Sequence, residues 1–144
     1  MDVDPERVAK VPSNRLLGLV VREQSDGGAT VTMAPRPELA QEYGVVHGGF
    51  LAALADTAAV YALLPRLAAS ERMTSIEFKV NFLAPADPAG GELVAKATVV
   101  KAGRTVRVAT VDVHQQTGGS AAAAKPAARH VLTGLFTYAV MLAP

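Results

Sequence analysis

The stretch that decides the fold is His47–Pro65, HGGFLAALADTAAVYALLP, in which Asp56 is the only carboxylate and no Lys or Arg occurs. A helix of this composition has to be covered on most of its surface. An ionised Asp in such a segment costs free energy unless it is paired, solvated or used in chemistry. The pair Gly48-Gly49 stands where the helix would begin, and a helix N-terminus presents free backbone N–H groups and partial positive charge. A donor for a developing oxyanion and a buried acid thus lie within ten residues of each other, which points to chemistry at a carbonyl. Each half also has a plain structural reading, the Asp as a satisfied helix residue and the Gly pair as a tight turn. The run approaches the roughly 20 apolar residues of a membrane span. Asp56 at its middle, Ala rather than Leu or Ile as its main residue, and Pro65 at its end favour a buried helix of a soluble protein instead.

Working outward, the period changes from helical to alternating. Leu16–Gln24, a turn at Ser25-Asp26-Gly27-Gly28, and Ala29–Ala34 read as a β-hairpin. Pro35–Gly44 reads as a loop with one helical turn at Pro37-Glu38-Leu39, and the long helix is expected from about His47 to Leu67. In Thr74–Leu83, Ile76, Phe78, Val80 and Phe82 alternate with Ser75, Glu77, Lys79 and Asn81, the pattern of a half-buried strand. Glu92–Lys101 and Thr105–Val113 read as strands joined by Ala102-Gly103-Arg104, and Arg129–Ala139 as the last strand. The Ala-rich Thr117–Ala128 is expected as a hairpin loop, and residues 1–14 as a loosely ordered lead-in with a helical turn near Glu6–Lys10. The fold class is therefore α+β: two strands, one long helix and four more strands, with one curved, mostly antiparallel sheet closing around the helix.

The 144 residues, 50% hydrophobic and 19% charged, form one globular domain over 1–144 with no repeat or linker. A net charge of +1 without any basic run gives no electrostatic case for nucleic acid or an anionic membrane. There is no Cys, so disulfides, thiolate metal sites and Cys nucleophiles are excluded. His47, His114 and His130 show no metal-binding spacing. The opening MDVDPERVAKVPSNR lacks the apolar core of a signal peptide, and a cytoplasmic setting is expected.

Val46-His47-Gly48-Gly49-Phe50 followed by Leu54-Ala55-Asp56-Thr57-Ala58 resembles the signature of hotdog-fold acyl-CoA thioesterases. The nearest group is the phenylacetate-pathway (PaaI-like) type, related to the hydroxybenzoyl-CoA thioesterases. Leu16-Leu17-Gly18 on the first strand, Val80–Pro85, and Lys101–Thr105 between later strands fit the same layout over roughly residues 15 to 139. The resemblance implies a helix wrapped by an antiparallel sheet, homodimers usually paired into homotetramers, and active sites at the dimer interface. It implies acyl-CoA as substrate and no metal or redox cofactor, coenzyme A being part of the substrate. In its terms Asp56 is the general base or nucleophile. Gly48 lends the N–H that polarises the thioester carbonyl, Gln41 matches an Asn or Gln position near that carbonyl, and Ser75 matches a hydroxyl that orients water in some members. His47 matches the signature His, which shapes the loop and helix start.

Physical chemistry supports these roles separately. Thioester hydrolysis builds negative charge on the carbonyl oxygen, and a helix-terminal N–H at a glycine is aimed at such charge with room for close approach. Asp56 lies eight residues on, about 12 Å along one helix, too far to act on the carbonyl held by Gly48 of the same chain. The pair is therefore expected to work across two subunits, Gly48 and Gln41 from one and Asp56 from the other. Gln41, in a polar loop, and Ser75, on a strand face expected to lie opposite Ile76, each fit a plain structural role equally well. Gly49, Thr57, Phe50 and Arg104 are candidate substrate contacts. Thr57 is equally placed to bond the helix backbone, and Arg104, near a turn where coenzyme A phosphates could dock, to be merely solvated. Phe50, Leu51, Leu54 and Tyr61 are expected along an acyl tunnel. Two competing functions share the fold: a non-catalytic acyl-thioester-binding protein, and a thioester enzyme of another reaction such as a dehydratase. The order of the acid after HGG favours hydrolysis.

Overall fold

The computed structural model describes residues 4–118 and 127–144. Most of the Ala-rich stretch read as a hairpin loop lies outside them. The chain runs α1 (Pro5–Lys10), α2 (Pro12–Leu17), β1 (Leu19–Ser25), β2 (Gly28–Met33), a 3₁₀ turn at Pro37–Leu39, α3 (Gly48–Leu63) and a second 3₁₀ turn at Leu64–Arg66. It continues with β3 (Glu71–Phe82), β4 (Leu93–Ala102), β5 (Val106–Gln116) and β6 (Ala128–Leu142). All strand pairs are antiparallel, in the order β1-β2-β4-β5-β6-β3. The sheet curves around α3, as the sequence led us to expect.

α3 begins because His47, in an extended conformation, caps it: Gly49 N–H donates to His47 Nδ1 at 2.8 Å. Ala55, Ala58, Ala59 and Ala62 are wholly buried, and their small side chains let the helix lie close under β2, β4 and β5, its main neighbours. The apolarity that suggested a membrane span is thus met by the sheet. The α-helix stops at Leu63, before Pro65, and the last turn tightens to 3₁₀. Its C-terminal carbonyls are held by Arg107, only 5% exposed, which donates through Nη1 to Leu63 O at 3.3 Å and through Nη2 to Arg66 O at 2.7 Å. A buried cation at a helix C-terminus is favoured by the helix dipole, and Glu71 Oε2 at 3.6 Å adds a counter-charge.

Two expectations about the elements are corrected. The lead-in is two short helices, with Val8 4% exposed and Asn14 and Leu17 buried. Asn14 Nδ2 donates to Val8 O and to the Tyr61 hydroxyl, both at 3.3 Å, which ties this segment to α3. Leu16 and Leu17 end α2 instead of opening β1. Gly18 at φ 66° is the left-handed residue that closes the helix, a conformation open to glycine at little cost.

The second correction concerns β3. A bulge at Ile76 shifts its register with β6, so that Ser75 faces Tyr138 and Phe78 faces Phe136 across the pair. Tyr138 and Phe136 are two apart on β6 and share the inner face, so Ser75 and Phe78 share it too. The strict alternation that set Ser75 opposite Phe78 is broken by that one extra residue. The strand is also less covered than expected: Ile76, Phe78 and Phe82 are 58%, 47% and 55% exposed, because β3 is an edge strand that α3, packed mainly under β2, β4 and β5, covers only in small part.

Candidate active site

The two halves of the expected site sit at opposite ends of one continuous helix. At the Asp56 end, the carboxylate is half-buried and meets two hydroxyls. Tyr138 Oη donates at 2.5 Å to Asp56 Oδ1 and lies 2.9 Å from the Asp56 carbonyl oxygen. Ser75 Oγ lies 3.0 Å from Oδ1 and 3.2 Å from Oδ2. Burial, and then the adjacent Asp56 carboxylate, push the Tyr138 phenol far above its ordinary range, so it stays protonated and remains a donor. The side chain of Asp56 opens on a cleft of about 800 Å³ whose walls include Asn14, Gln24, Thr57, Val60 and Tyr61. Thr57 Oγ1 donates to the Ala53 carbonyl at 2.9 Å, so it bonds the helix backbone while also lining this cleft. Burial raises the Tyr61 phenol above its usual value, with the Asn14 hydrogen bond acting the other way.

At the other end, Gly48 is the first residue of α3 and so has no helix carbonyl behind it to take its N–H. No loop or cap bond uses that N–H among the described residues. It borders a second cleft of about 490 Å³ together with Gln41, Leu51 and Phe82. A methyl group on Gly48 would come within 2.8 Å of Phe82 Cζ, so the ring edge lies directly over the backbone here. Gln41 reaches this cleft, but its side-chain oxygen accepts from Tyr43 N–H, and its main chain is bonded to Val45 and Gly44. His47 is exposed with Nδ1 occupied as the helix cap, and Phe50 packs edge-on against it at 5.8 Å. Gly49 supplies the capping N–H, and a Cβ there would press on the His47 ring at 3.0 Å.

The structure therefore joins Asp56, Ser75 and Thr57 at one end, and Gln41, His47, Gly48, Gly49 and Phe50 at the other. Arg104 lies in the β4–β5 turn, exposed, and lines neither cleft. Of the residues expected along a tunnel, Tyr61 lines the Asp56 cleft and Leu51 the Gly48 cleft, whereas Leu54 is sealed in the core. Sequence reasoning missed Tyr138. The signal was present: Phe136 and Tyr138 alternate inward on β6, and a buried tyrosine hydroxyl needs a partner. Among the described residues no three His, Cys, Asp or Glu side chains are gathered so as to hold a metal ion.

A single helix wrapped by a six-stranded antiparallel sheet, with a hydroxyl-bound carboxylate on the helix and a free N–H at its start, defines a hotdog-fold protein. Residues 43–122 match the thioesterase superfamily. A protein of Halobacterium salinarum named "Putative esterase" is 38% identical over 103 residues, covering 67% of this chain and 66%, just under two thirds, of its own length. A thioesterase family protein from Silicibacter pomeroyi superposes with a TM-score of 0.84 at 28% identity, over 96% of this chain and 95% of that one. A point mutant of the phenylacetic acid degradation protein PaaI from Thermus thermophilus does so with a TM-score of 0.74 at 26% identity, over 89% and 97%. The chain belongs to the thioesterase superfamily and has a PaaI-like hotdog fold.

Proposed function

We propose that this superfamily member is a thioester hydrolase that converts acyl-CoA and water to a free carboxylic acid and coenzyme A. The observation that carries the reading is the separation of an oxyanion donor and a hydroxyl-bound carboxylate on one helix, each opening on its own cleft. Gly48 N–H polarises the thioester carbonyl, and the charge that develops on its oxygen in the tetrahedral state is met by the helix N-terminus. Asp56 serves as general base or nucleophile. As a base it takes a proton from water while the water oxygen bonds to the carbonyl carbon. The C–S bond then breaks, and the proton passes to the departing thiolate. Ser75 orients the water or the carboxylate, and Gln41 lies beside the carbonyl at the Gly48 end.

Because eight residues of one helix separate the two groups, roughly 12 Å, the working site takes Gly48 from one subunit and Asp56 from its partner. The exposed apolar residues of β3 support this reading, since an edge strand carrying Ile76, Phe78 and Phe82 in water invites pairing with a second copy. The unit is a homodimer, paired again into a homotetramer. Its setting is the cytoplasm, where coenzyme A thioesters are made and consumed.

The test is thiol release from acetyl-, octanoyl-, palmitoyl- and benzoyl-CoA by the wild-type protein and by Asp56→Asn. The amide is nearly isosteric with the carboxylate, so the fold is expected to persist while turnover falls at least about 100-fold. Tight binding of an acyl-CoA by both proteins without hydrolysis by either would instead establish the acyl-thioester-binding function. Wild-type turnover in Asp56→Asn would make Asp56 structural.

A further inference from the structure

We infer that Tyr138 is a positioning residue for the reaction, clamping one oxygen of the Asp56 carboxylate so that the other is left to react. The inference rests on the hydrolase reading given above and deepens it. The phenol has one proton and two acceptors on the same residue, Asp56 Oδ1 at 2.5 Å and the Asp56 carbonyl oxygen at 2.9 Å. A group bonded to both the backbone and the side chain of one residue restricts the rotamer of that side chain. Ser75 Oγ reaches Oδ1 at 3.0 Å and Oδ2 at 3.2 Å, again with a single proton to give. With Oδ1 taken by Tyr138, Oδ2 has only the shared Ser75 hydroxyl, and it is the oxygen with capacity to accept from water or to attack carbon. The arrangement gives a physical purpose to the β3 bulge. The bulge puts Ser75 on the inner face beside Tyr138, its register partner on β6, so both donors converge on the carboxylate from adjacent strands.

A buried tyrosine hydroxyl needs some partner, so the bond by itself fits simple satisfaction of the phenol as well. Kinetics separate the two. Tyr138→Phe removes only the hydroxyl from a ring that is fully buried. Assayed with whichever of the four acyl-CoAs is turned over best, it is expected to keep its oligomeric state and to hold KM within about twofold. Its kcat should drop about 10- to 100-fold, the worth of one hydrogen bond to a charged group. In an Asp56→Asn background the same substitution is expected to change residual turnover by less than about twofold, because the group it acts through is gone. A kcat within twofold of wild type, or an undiminished Tyr138→Phe effect in the Asp56→Asn background, would overturn the inference while leaving the hydrolase reading intact. Full activity of Asp56→Asn alone would make Asp56 structural and overturn the inference with it, while absence of hydrolysis by the wild type would overturn the hydrolase reading itself.

Discussion

Gly48→Ala is the most discriminating perturbation of the oxyanion end. The added methyl would lie 2.8 Å from Cζ and 2.9 Å from Cε1 of Phe82, and 3.4 Å from Cε2. The first two distances are too short to persist, so something moves. The atoms that meet the methyl are the far end of a side chain that is 55% exposed, and swinging that ring costs on the order of 0.5–1.5 kcal/mol if it leaves its rotamer well. Against this, Ala is favoured over Gly by up to about 1 kcal/mol in a helix, less in its first turn. The two effects nearly cancel, and the melting temperature is expected to stay within about 5 °C of wild type. Activity should behave differently. The methyl and the displaced ring both press on the space in front of the N–H, and loss of one oxyanion donor costs about 10²–10³ in kcat. Because that donor acts mainly on charge formed in the transition state, kcat should fall more than KM rises. The assay is steady-state thiol release alongside a thermal melt, on Gly48→Ala, Phe82→Ala and the double variant. A raised KM with unchanged kcat would refute the oxyanion assignment, whereas recovery of kcat in the double variant would make the displaced Phe82 ring, and not the methyl, what blocks the N–H. An unfolded Gly48→Ala would mean that the glycine is needed for the backbone.

Two further outcomes follow from the same geometry. Ile76→Lys places a charge on the exposed edge strand, where it has little to disturb within one subunit. Light scattering at micromolar concentration should show the wild type as a dimer or larger and the variant shifted toward monomer with parallel loss of turnover; a fully active monomer would contradict the shared site. Arg107→Met keeps much of the volume but leaves the Leu63 and Arg66 carbonyls and Glu71 without their guanidinium. Denaturant unfolding should show a loss of about 2–4 kcal/mol, and a change below about 0.5 kcal/mol would mean that water replaces the cap.

Much of the fold was legible because its signals are local. The run between Gly48 and Leu63, apolar but for Asp56 and Thr57, reads as a covered helix, and the alternation in the later segments reads as sheet. Element ends were less legible, since they rest on single residues with special conformations. Gly18 closes α2 and does not continue a strand, and the lead-in folds because Asn14 finds Tyr61 of α3, a partner far away in sequence, and Val8 is buried in the core. The candidate site divided along the same line. Asp56, Gly48 and the capping His47 share one helix, so their order and spacing were readable. Gln41 was readable as a loop residue, but the turning of its side-chain oxygen onto Tyr43 was not.

What the sequence determined by itself is the helix, its acid, its glycine start and the sheet that must wrap it, because burial and side-chain period act within a few residues. What only the tertiary structure decided is which hydroxyls meet the acid. Strand side chains alternate with a period of two, so one inserted residue at Ile76 brings Ser75 from the face expected of it to the inner face. Whether that insertion occurs depends on the pairing of β3 with β6, strands separated by β4 and β5 in the chain. Tyr138 meets Asp56 across 82 positions of sequence for the same reason: the contact belongs to the curvature and register of the sheet, which no local pattern encodes.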